Sequence, residues 1–504
     1  MKILSAAQIR QWDEYTIKQE PVSSIDLMER AATKCTAWLL QQYPTAPSFA
    51  VYCGKGNNGG DGLAIARMLV EQGYPVTIYI LEFGHKGTDD FQTNLARLHL
   101  LPNQDIHFIQ SEENFHSFQP GQIIIEALLG SGVSRPLEGV TAALVNHLNN
   151  SGCEIISIDI PAGLFADHSG KGALTIQATH TLSFQCYKPA LLLAENEAAI
   201  GQVHILDIGL DNSFYNSLNT AFELVDDEII YAIYKPRNAF AHKGTFGHAL
   251  LIAGSYGKMG AAILAANACL RSGVGLLTCH IPTCGYDSMQ TAVPEAMVVT
   301  HVDSSFNTKV EDDLIKYKTV GIGPGIGMAA ETKTMLTEFL TLYKKPVVLD
   351  ADALNILASQ KDWLPLIPAG SILTPHPKEF ERLFGETVNE FDNIALALQK
   401  AKELNCIIVL KGHHTFIATP GGKGYFNATG NAGMATGGSG DVLTGILTGL
   451  LAQGYSSEEA AIFGVYLHGK AGDMAAQKLS MEAMLASDII NNLGQAFISC
   501  LQLC

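Results

Sequence analysis

Apolar residues recur along this chain in two alternating rhythms, short unbroken runs that suit buried strands and longer stretches at helical spacing. Residues 5–19 and 24–40 each read as a helix behind a serine cap, the second with an apolar stripe at Leu27, Ala31, Trp38 and Leu39. Both are read as packing elements. Residues 49–53 form a short apolar strand, residues 54–62 a glycine-rich turn (GKGNNGGDG) and residues 63–72 a helix. The alternation continues with a strand at 74–81, a helix at 89–100, a strand at 123–125 ending in Glu126, and the strand of EIISIDIPAGL, which ends in Asp159. After a mixed polar and apolar connector, residues 212–237, the same rhythm resumes. KGTFGHALLIAGSYGKMGAAILAANACLRSGVGLLTCHIP reads strand, glycine turn, helix (residues 261–271), strand. TVGIGPGIG, PVVLDADALN, SILTPHPKEFERL and IIVLKGHHTFIAT add further strands, each running into a turn.

Repeated strand, turn and helix predict an α/β chain with largely parallel sheets covered on both faces. No short repeat period is present, which excludes a solenoid. At 504 residues with 47% hydrophobic content, two globular units are expected, divided near residue 220 into 1–220 and 221–504. The first opens as a doubly wound, Rossmann-like nucleotide fold.

Composition narrows the function. A net charge of −17 makes nucleic acid an improbable general partner, so anionic ligands must be held by local N–H groups and single lysines. The ten cysteines form no CxxC pair and are read as reduced thiols. No apolar run is long enough to span a bilayer, and the N-terminus turns polar before a signal-peptide core develops. The expectation is a soluble cytoplasmic protein with no membrane partner.

The stretch that organises the candidate chemistry is NAGMATGGSGDVLTG, residues 431–445. Gly430, Gly433, Gly437, Gly438 and Gly440 allow positive φ and close approach of main-chain N–H groups to a ligand. The apolar residues Val442, Leu443, Ile446, Leu447 and Leu450 follow at helical spacing, so Gly438 to Asp441 should open a helix. Such a turn is an anion site, and Asp441 sets a carboxylate, a candidate base, beside the anion. In the first half, strand ends deliver Asn58, Glu126 and Asp159 to one edge, where a hard oxygen-bound cation fits. His376 between two prolines is read as a ligand contact ahead of a structural histidine, and Lys411 as a phosphate partner or a solvated lysine. Asp350 and Asp352 are read as Mg²⁺ ligands or as helix caps.

GNNGGDG, ALLGSGVSRP, SIDIPAGL and TLSFQCYKPALLL with Lys188 together resemble the epimerase domain of the bifunctional NAD(P)H-hydrate repair enzymes. The resemblance spans roughly residues 1–215. It implies K⁺ near Asn58, Glu126 and position 162. It also implies a hydrated nicotinamide dinucleotide held by Asn57, Asn58, Gly59, Gly60 and Asp61 and by the turn carrying Gly130, Ser131, Gly132, Arg135 and Pro136. Asp159 would meet the reacting ring, with Lys188 beside it as a catalytic group. Two positions depart from the family: Glu126 stands where Asp is usual and Ala162 where Ser is usual. Glutamate reaches farther by one methylene, and an alanine can serve only through its backbone.

The second half, from KGTFGHALLIAGS through GIGPGIG, LTPHPKEF and LKGHHT to the glycine loop, is similar to the ADP-dependent NAD(P)H-hydrate dehydratases, a ribokinase-like fold. By position, Ala261, Gly325, His376 and Asp441 would meet the hydrated dinucleotide. Lys411, Gly412, His413, His414, Thr415 and Gly440, with Gly438 and Ser439 of the same loop, would meet the adenine nucleotide. Lys378 stands where the family commonly has glycine. The implied function is repair of hydrated NADH or NADPH: epimerisation at C6 in the first unit, ADP-driven dehydration of the S epimer in the second, in a homo-oligomer. Two rival readings are a small-molecule kinase of the same fold and a first unit that binds without catalysing.

Overall fold

A computed structural model describes residues 1–102, 104–301, 305–310 and 313–501. Contacts divide the chain into one unit of Lys2–Thr220 with Asn389–Phe391, and a second of Met1, Ala221–Val388 and Asp392–Cys504.

The first unit is built on seven strands: β1 (Phe49–Cys53), β2 (Val76–Leu81), β3 (Asp105–Ile109), β4 (Ile123–Ala127), β5 (Glu154–Ile158), β6 (His180–Phe184) and β7 (Gln202–Leu206). They pair in the order β3-β2-β1-β4-β5-β6-β7, every pair parallel. The order reverses between β1 and β4, and the crevice beyond their carboxyl ends is where such sheets bind ligands. All five residues of β1 and of β4 are buried, as an apolar strand covered on both faces requires.

The helix after β1 begins earlier than its composition suggests. It runs Asn57–Glu71, so the asparagines and glycines expected to form a loose turn are already helical. The glycines are there for contact rather than for unusual φ. A Cβ on Gly59 would lie 1.8 Å from the Gly54 carbonyl oxygen, one on Gly60 2.8 Å from Met28 Sδ, and one on Gly62 2.7 Å from Ala127 Cβ. The absence of side chains lets the helix start sit directly on the strand ends and on its neighbouring helix.

The second unit has ten strands: β8 (Phe222–Leu224), β9 (His248–Ile252), β10 (Leu276–Pro282), β11 (Met297–His301), β12 (Thr319–Ile322), β13 (Val347–Leu349), β14 (Ile372–Leu373), β15 (Ile407–Leu410), β16 (Thr415–Ala418) and β17 (Gly424–Asn427). Their order is β11-β10-β9-β12-β13-β14-β15-β16-β17-β8. Only the β15-β16 and β16-β17 pairs are antiparallel, joined by short turns. The stretch read as a connector contributes β8, paired parallel to β17, and a helix at Asp227–Ile233 capped by Asp226. The alanine-rich helix Met259–Arg271 also packs closely against the helix Ser439–Ala452. A Cβ on Gly445 would lie 2.2 Å from the Ala265 carbonyl oxygen, and one on Gly449 2.0 Å from Ser272 Oγ. Gly445 and Gly449, one turn apart, make that approach possible.

No helix among the described residues is long and apolar enough to cross a membrane. Among the described residues no cysteine is in a disulfide; Cys504 lies outside them.

Candidate active sites

In the first unit a cavity of about 850 Å³ opens at the crevice between β1 and β4. Asn57, Asn58, Asp61, the turn Gly130, Ser131, Gly132, Arg135 and Pro136, and Asp159 all line it. Gly130 draws these groups together, since a Cβ there would stand 3.3 Å from Asn58 Cβ and 3.8 Å from Asp159 Oδ2. Asp159 follows β5 with a φ of 65°, a left-handed backbone that a non-glycine residue adopts at a cost of order 1–3 kcal/mol. Its carboxylate is ion-paired with Lys188 at 2.6 Å. Lys188 itself has no exposed surface and also donates to Ser183 Oγ at 2.7 Å. Asp61 is fully enclosed, and burial, followed by the charges of Asp159, Asp13 and Asp90, pushes its carboxyl far above the usual range.

The three positions assigned to K⁺ differ in what they offer. Asn58 fits: its Oδ1 is buried with no donor, while its Nδ2 donates to the Leu129 carbonyl at 3.0 Å. A buried acceptor without a partner calls for a cation or an ordered water. Glu126 is already engaged by the protein. Its Oε1 accepts from the Leu128 N–H at 2.8 Å, and its Oε2 from Ser157 Oγ at 2.7 Å and the Ala162 N–H at 3.2 Å. The extra methylene carries the carboxylate into backbone donors, where burial pushes it up to about 7 against those same hydrogen bonds. Ala162 enters through that N–H, and its carbonyl accepts from Ile176 at 2.9 Å.

In the second unit the glycine loop does open a helix, Ser439–Ala452, with Gly438 as its cap at φ 94°. Gly430 also needs positive φ, at 111°, but Gly433, Gly437 and Gly440 do not. Gly433 is small for packing, because a Cβ would meet the Met481 carbonyl oxygen at 2.5 Å. Gly440 faces the charged centre of the site: a Cβ on it would lie 3.5 Å from Lys411 Nζ and 3.7 Å from Asp350 Oδ2. Lys411, at the end of β15, is ion-paired with Asp350 at 2.9 Å. Burial opposes the lysine's charge, but Asp350, Glu379 and Asp441 outweigh it and hold the ammonium above its ordinary range. Gly412, His413 and His414 form the turn into β16, closed by the Thr415 hydroxyl donating to the Gly412 carbonyl at 3.2 Å.

Asp441 sits in the first turn of that helix, and no hydrogen bond contributes to the shift of its acidity. Burial first, then Asp350, raises its pKa to about 6, with Lys411 pulling the other way and Asp352 adding to the rise. Asp350 stands at the N-cap position of the helix Ala351–Ser359, but its side chain is engaged elsewhere. One of its oxygens holds Lys411 and the other accepts from Thr444 Oγ1 at 2.8 Å, and it makes no cap hydrogen bond. Asp352 accepts from the Gly327 N–H at 2.8 Å and pairs with Lys258 at 3.2 Å. Both acids expected to hold Mg²⁺ thus have protein partners, which leaves Asp441 the free carboxylate of the trio.

Gly325 and Ala261 adjoin each other, a Cβ on Gly325 falling 3.2 Å from that of Ala261. His376 has a structural task. Its Nδ1 accepts from the Lys378 and Glu379 N–H groups at 3.1 and 3.4 Å, capping the helix Pro377–Phe384. Burial, then the nearby Lys411 and Arg382, lowers its pKa, so the ring is neutral with its remaining proton on Nε2. Two further residues shape the site: Thr444, inside NAGMATGGSGDVLTG but not singled out there, and His468, outside the motifs. Thr444 braces Asp350, and His468 donates from Nε2 to the Ser439 carbonyl at 3.0 Å beneath the loop. Burial pushes His468 down to about 4, so it is a neutral donor.

Family models match residues 24–190 as a YjeF-related protein N-terminus and residues 249–495 as NAD(P)H-hydrate dehydratase. The chain is 33% identical over 510 residues to the bifunctional NAD(P)H-hydrate repair enzyme of Moorella thermoacetica, covering 97% of this chain and 96% of that one. Among solved structures, a ribokinase-like superfamily protein from Enterococcus faecalis superposes with a TM-score of 0.50 at 28% identity, covering 56% of this chain and 98% of its own. An ADP/ATP-dependent NAD(P)H-hydrate dehydratase from Bacillus subtilis, co-crystallized with ATP and Mg²⁺, is 32% identical and covers 55% and 98%, with a TM-score of 0.48.

Proposed function

The chain belongs to the bifunctional NAD(P)H-hydrate repair enzymes, and from that premise we propose how its own residues divide the work. The first unit interconverts the C6 epimers of hydrated NADH or NADPH. The second dehydrates the S epimer, using ADP and releasing AMP and phosphate.

The observation that carries the second half is Asp441 at about pH 6 beside the helix opening at Gly438. Hydroxide is a poor leaving group, and a phosphate ester is a good one. Asp441, mostly ionised at neutral pH and free of protein donors, takes the proton from the C6 hydroxyl as that oxygen attacks the β-phosphorus of ADP. The bond from phosphorus to the AMP oxygen breaks, and the N–H groups of Gly438 to Gly440 receive the negative charge on the moving phosphoryl group. Lys411 neutralises phosphate from the far side while Asp350 and Thr444 hold it in place. Loss of phosphate from C6 and a proton from C5 restores the dihydropyridine. Ala261, Gly325 and His376 flank the dinucleotide, and Lys411 to Thr415 the adenine nucleotide. Mg²⁺, when present, screens the nucleotide phosphates; the positions of Asp350 and Asp352 argue against direct ligation by them.

In the first unit Asn57 to Asp61 and the Gly130 to Pro136 turn enclose the dinucleotide, with Asp159 and Lys188 at the reacting ring. K⁺ belongs to this reading only at Asn58, supported by its unpaired Oδ1. Incubating the chain with mixed hydrate epimers, with and without ADP, tests the whole reading at the reduced-nicotinamide absorbance. Complete conversion of both epimers is expected with ADP, and no absorbance gain without it. A stable phosphorylated product with no absorbance change would indicate a kinase instead.

A further inference from the structure

The acid that drives epimerisation comes from a helix read as packing. The helix Ala6–Gln19 presents Ala6, Ile9, Arg10 and Asp13 to the cavity of the first unit. Their spacing of three, four and seven residues is that of one helix face. Asp13 thereby reaches the same enclosed space as Asp61, Asp159 and the turn that carries Arg135.

Three observations separate Asp13 from an ordinary surface acid. No hydrogen bond contributes to the acidity of either Asp13 or Asp61, whereas Asp159 is fixed by Lys188. The cavity lining also includes Asn58, whose buried Oδ1 has no protein partner. Finally, burial first, then the Asp159 charge, raises Asp13 to about 7, with Lys188 lowering it and Glu14 raising it. Asp61 is raised well above the ordinary carboxyl value, by burial first, and Asp159 is ion-paired. Asp13 alone among these acids is poised to hold and release a proton under working conditions.

Resting on the epimerase reading of this site, we propose that Asp13 is the general acid that expels the C6 hydroxyl, and that the Asp159 carboxylate is the base for the returning water. The C6 hydroxyl of the hydrate is a hemiaminal, on the carbon next to N1. Asp13 gives its proton to the hydroxyl oxygen. The C6–O bond breaks with its electron pair leaving as water, while the N1 lone pair forms the N1=C6 bond of an iminium. Water then adds to the opposite face: its oxygen lone pair forms the new C6–O bond, the N1=C6 pair returns to N1, and the water proton goes to Asp159. Passage of that proton back to Asp13 through solvent resets the site, so no proton, electron or co-reactant is consumed.

The test uses the full chain without ADP, starting from one purified hydrate epimer and separating the epimers over time. Asp13→Asn is expected to lower the epimerisation kcat by about 10²–10⁴ with KM within roughly threefold. Its dehydration rate, read on the S epimer with ADP, should stay at the wild-type value. In the wild type kcat should fall as pH rises through about 7, and Asp13→Asn should lack that limb while Asp13→Glu keeps it. Arg10, Glu14, Asp61, Arg135, Glu138, Asp159 and Lys188 also face this group, so the limb must vanish with Asp13 alone to be its own. In water labelled with oxygen-18, each epimerised molecule should carry the label at C6. An Asp13→Asn rate within threefold of wild type, a surviving pH limb, or unlabelled product would each overturn the proposal and leave the epimerase reading intact. If Asp13→Asn loses dehydration as well, its fold is damaged and Asp13→Glu decides: retained epimerisation with its pH limb supports the proposal, and loss of the limb overturns it. A wild-type chain that does not epimerise at all would overturn the reading and the proposal together.

Discussion

Replacing Asp441 by asparagine removes one charge from the second unit and changes almost nothing else. The amide matches the carboxylate in size, so the glycine turn and its helix should persist. Two effects of opposite sign follow. A neutral amide cannot accept the C6 hydroxyl proton, and loss of a positioned base typically costs about 10²–10⁴ in rate. Stability should rise. Asp441 is lifted from 3.8 to about 6 by burial and by Asp350, so its ionised form is disfavoured in the folded state. A rise of about two pKa units corresponds to roughly 3 kcal/mol at most, and partial exposure to solvent reduces it to about 1–3 kcal/mol. That penalty is fully present above pH 6, fades as pH falls, and is gone below the unfolded value of 3.8. Asp441→Asn should therefore melt higher than wild type at pH 8, by roughly 2–4 °C for each kcal/mol, and the gap should close by pH 4. Calorimetry at both pH values, ADP titration and the two reaction rates on one preparation measure all of this. A variant that dehydrates at the wild-type rate would remove Asp441 as the base. One that melts lower at pH 8, or whose advantage ignores pH, would refute the electrostatic account of its acidity.

Asn58→Ala should abolish any K⁺ dependence of epimerisation while Glu126→Gln retains it, since only Asn58 offers a free oxygen; a K⁺ titration of both variants decides. Lys411→Met leaves Asp350, 1% exposed, without its counter-ion and should cost about 3–5 kcal/mol of unfolding free energy in denaturant. Adding Asp350→Asn should restore most of that stability and none of the dehydration. His468→Ala removes the donor under Ser439, and at about 0.5–1.5 kcal/mol for one hydrogen bond should weaken ADP binding roughly two- to tenfold, with His468→Gln partly restoring it in a calorimetric titration.

The parallel α/β architecture was legible because it is written locally. Apolar runs of strand length alternate with helical stretches, and glycine turns mark the crossings. The loop around Asp441 was legible for the same reason, since turn, acid and following helix are contiguous. What could not be read depends on contacts between distant segments. Glu126 looks like a ligand at a strand end, and only the fold reveals that Leu128, Ser157 and Ala162 already occupy it. Asp350 looks like a cap or a metal acid until Lys411 and Thr444, 61 and 94 residues away, close on it. The glycines of GNNGGDG suggest a flexible turn, whereas their purpose is the approach of a helix to Gly54, Met28 and Ala127. His468 and Asp13 lie in helices whose apolar faces explain their sequence context completely, so nothing in the pattern singles them out.

Both units solve the same electrostatic problem with the same device on different sheets. In each, a buried lysine is paired to an aspartate just beyond a strand end, Lys188 with Asp159 and Lys411 with Asp350. In each, a second acid stands close enough to feel both members of the pair. The carboxylate acts on that neighbour more strongly than the lysine does, at Asp13 as at Asp441, and burial adds to the rise. Asp61, on which burial and the charges of Asp159, Asp13 and Asp90 all act in one direction, is raised well above the ordinary carboxyl value. Placing the acid one step away from an ion pair lets burial raise it by two or three pKa units and lets the lysine limit that rise. The outcome is a group near 7 in one site and near 6 in the other. In both sites the acid is raised above its ordinary carboxyl value toward neutrality, where a group can give a proton to a leaving hydroxyl or take one from an attacking hydroxyl.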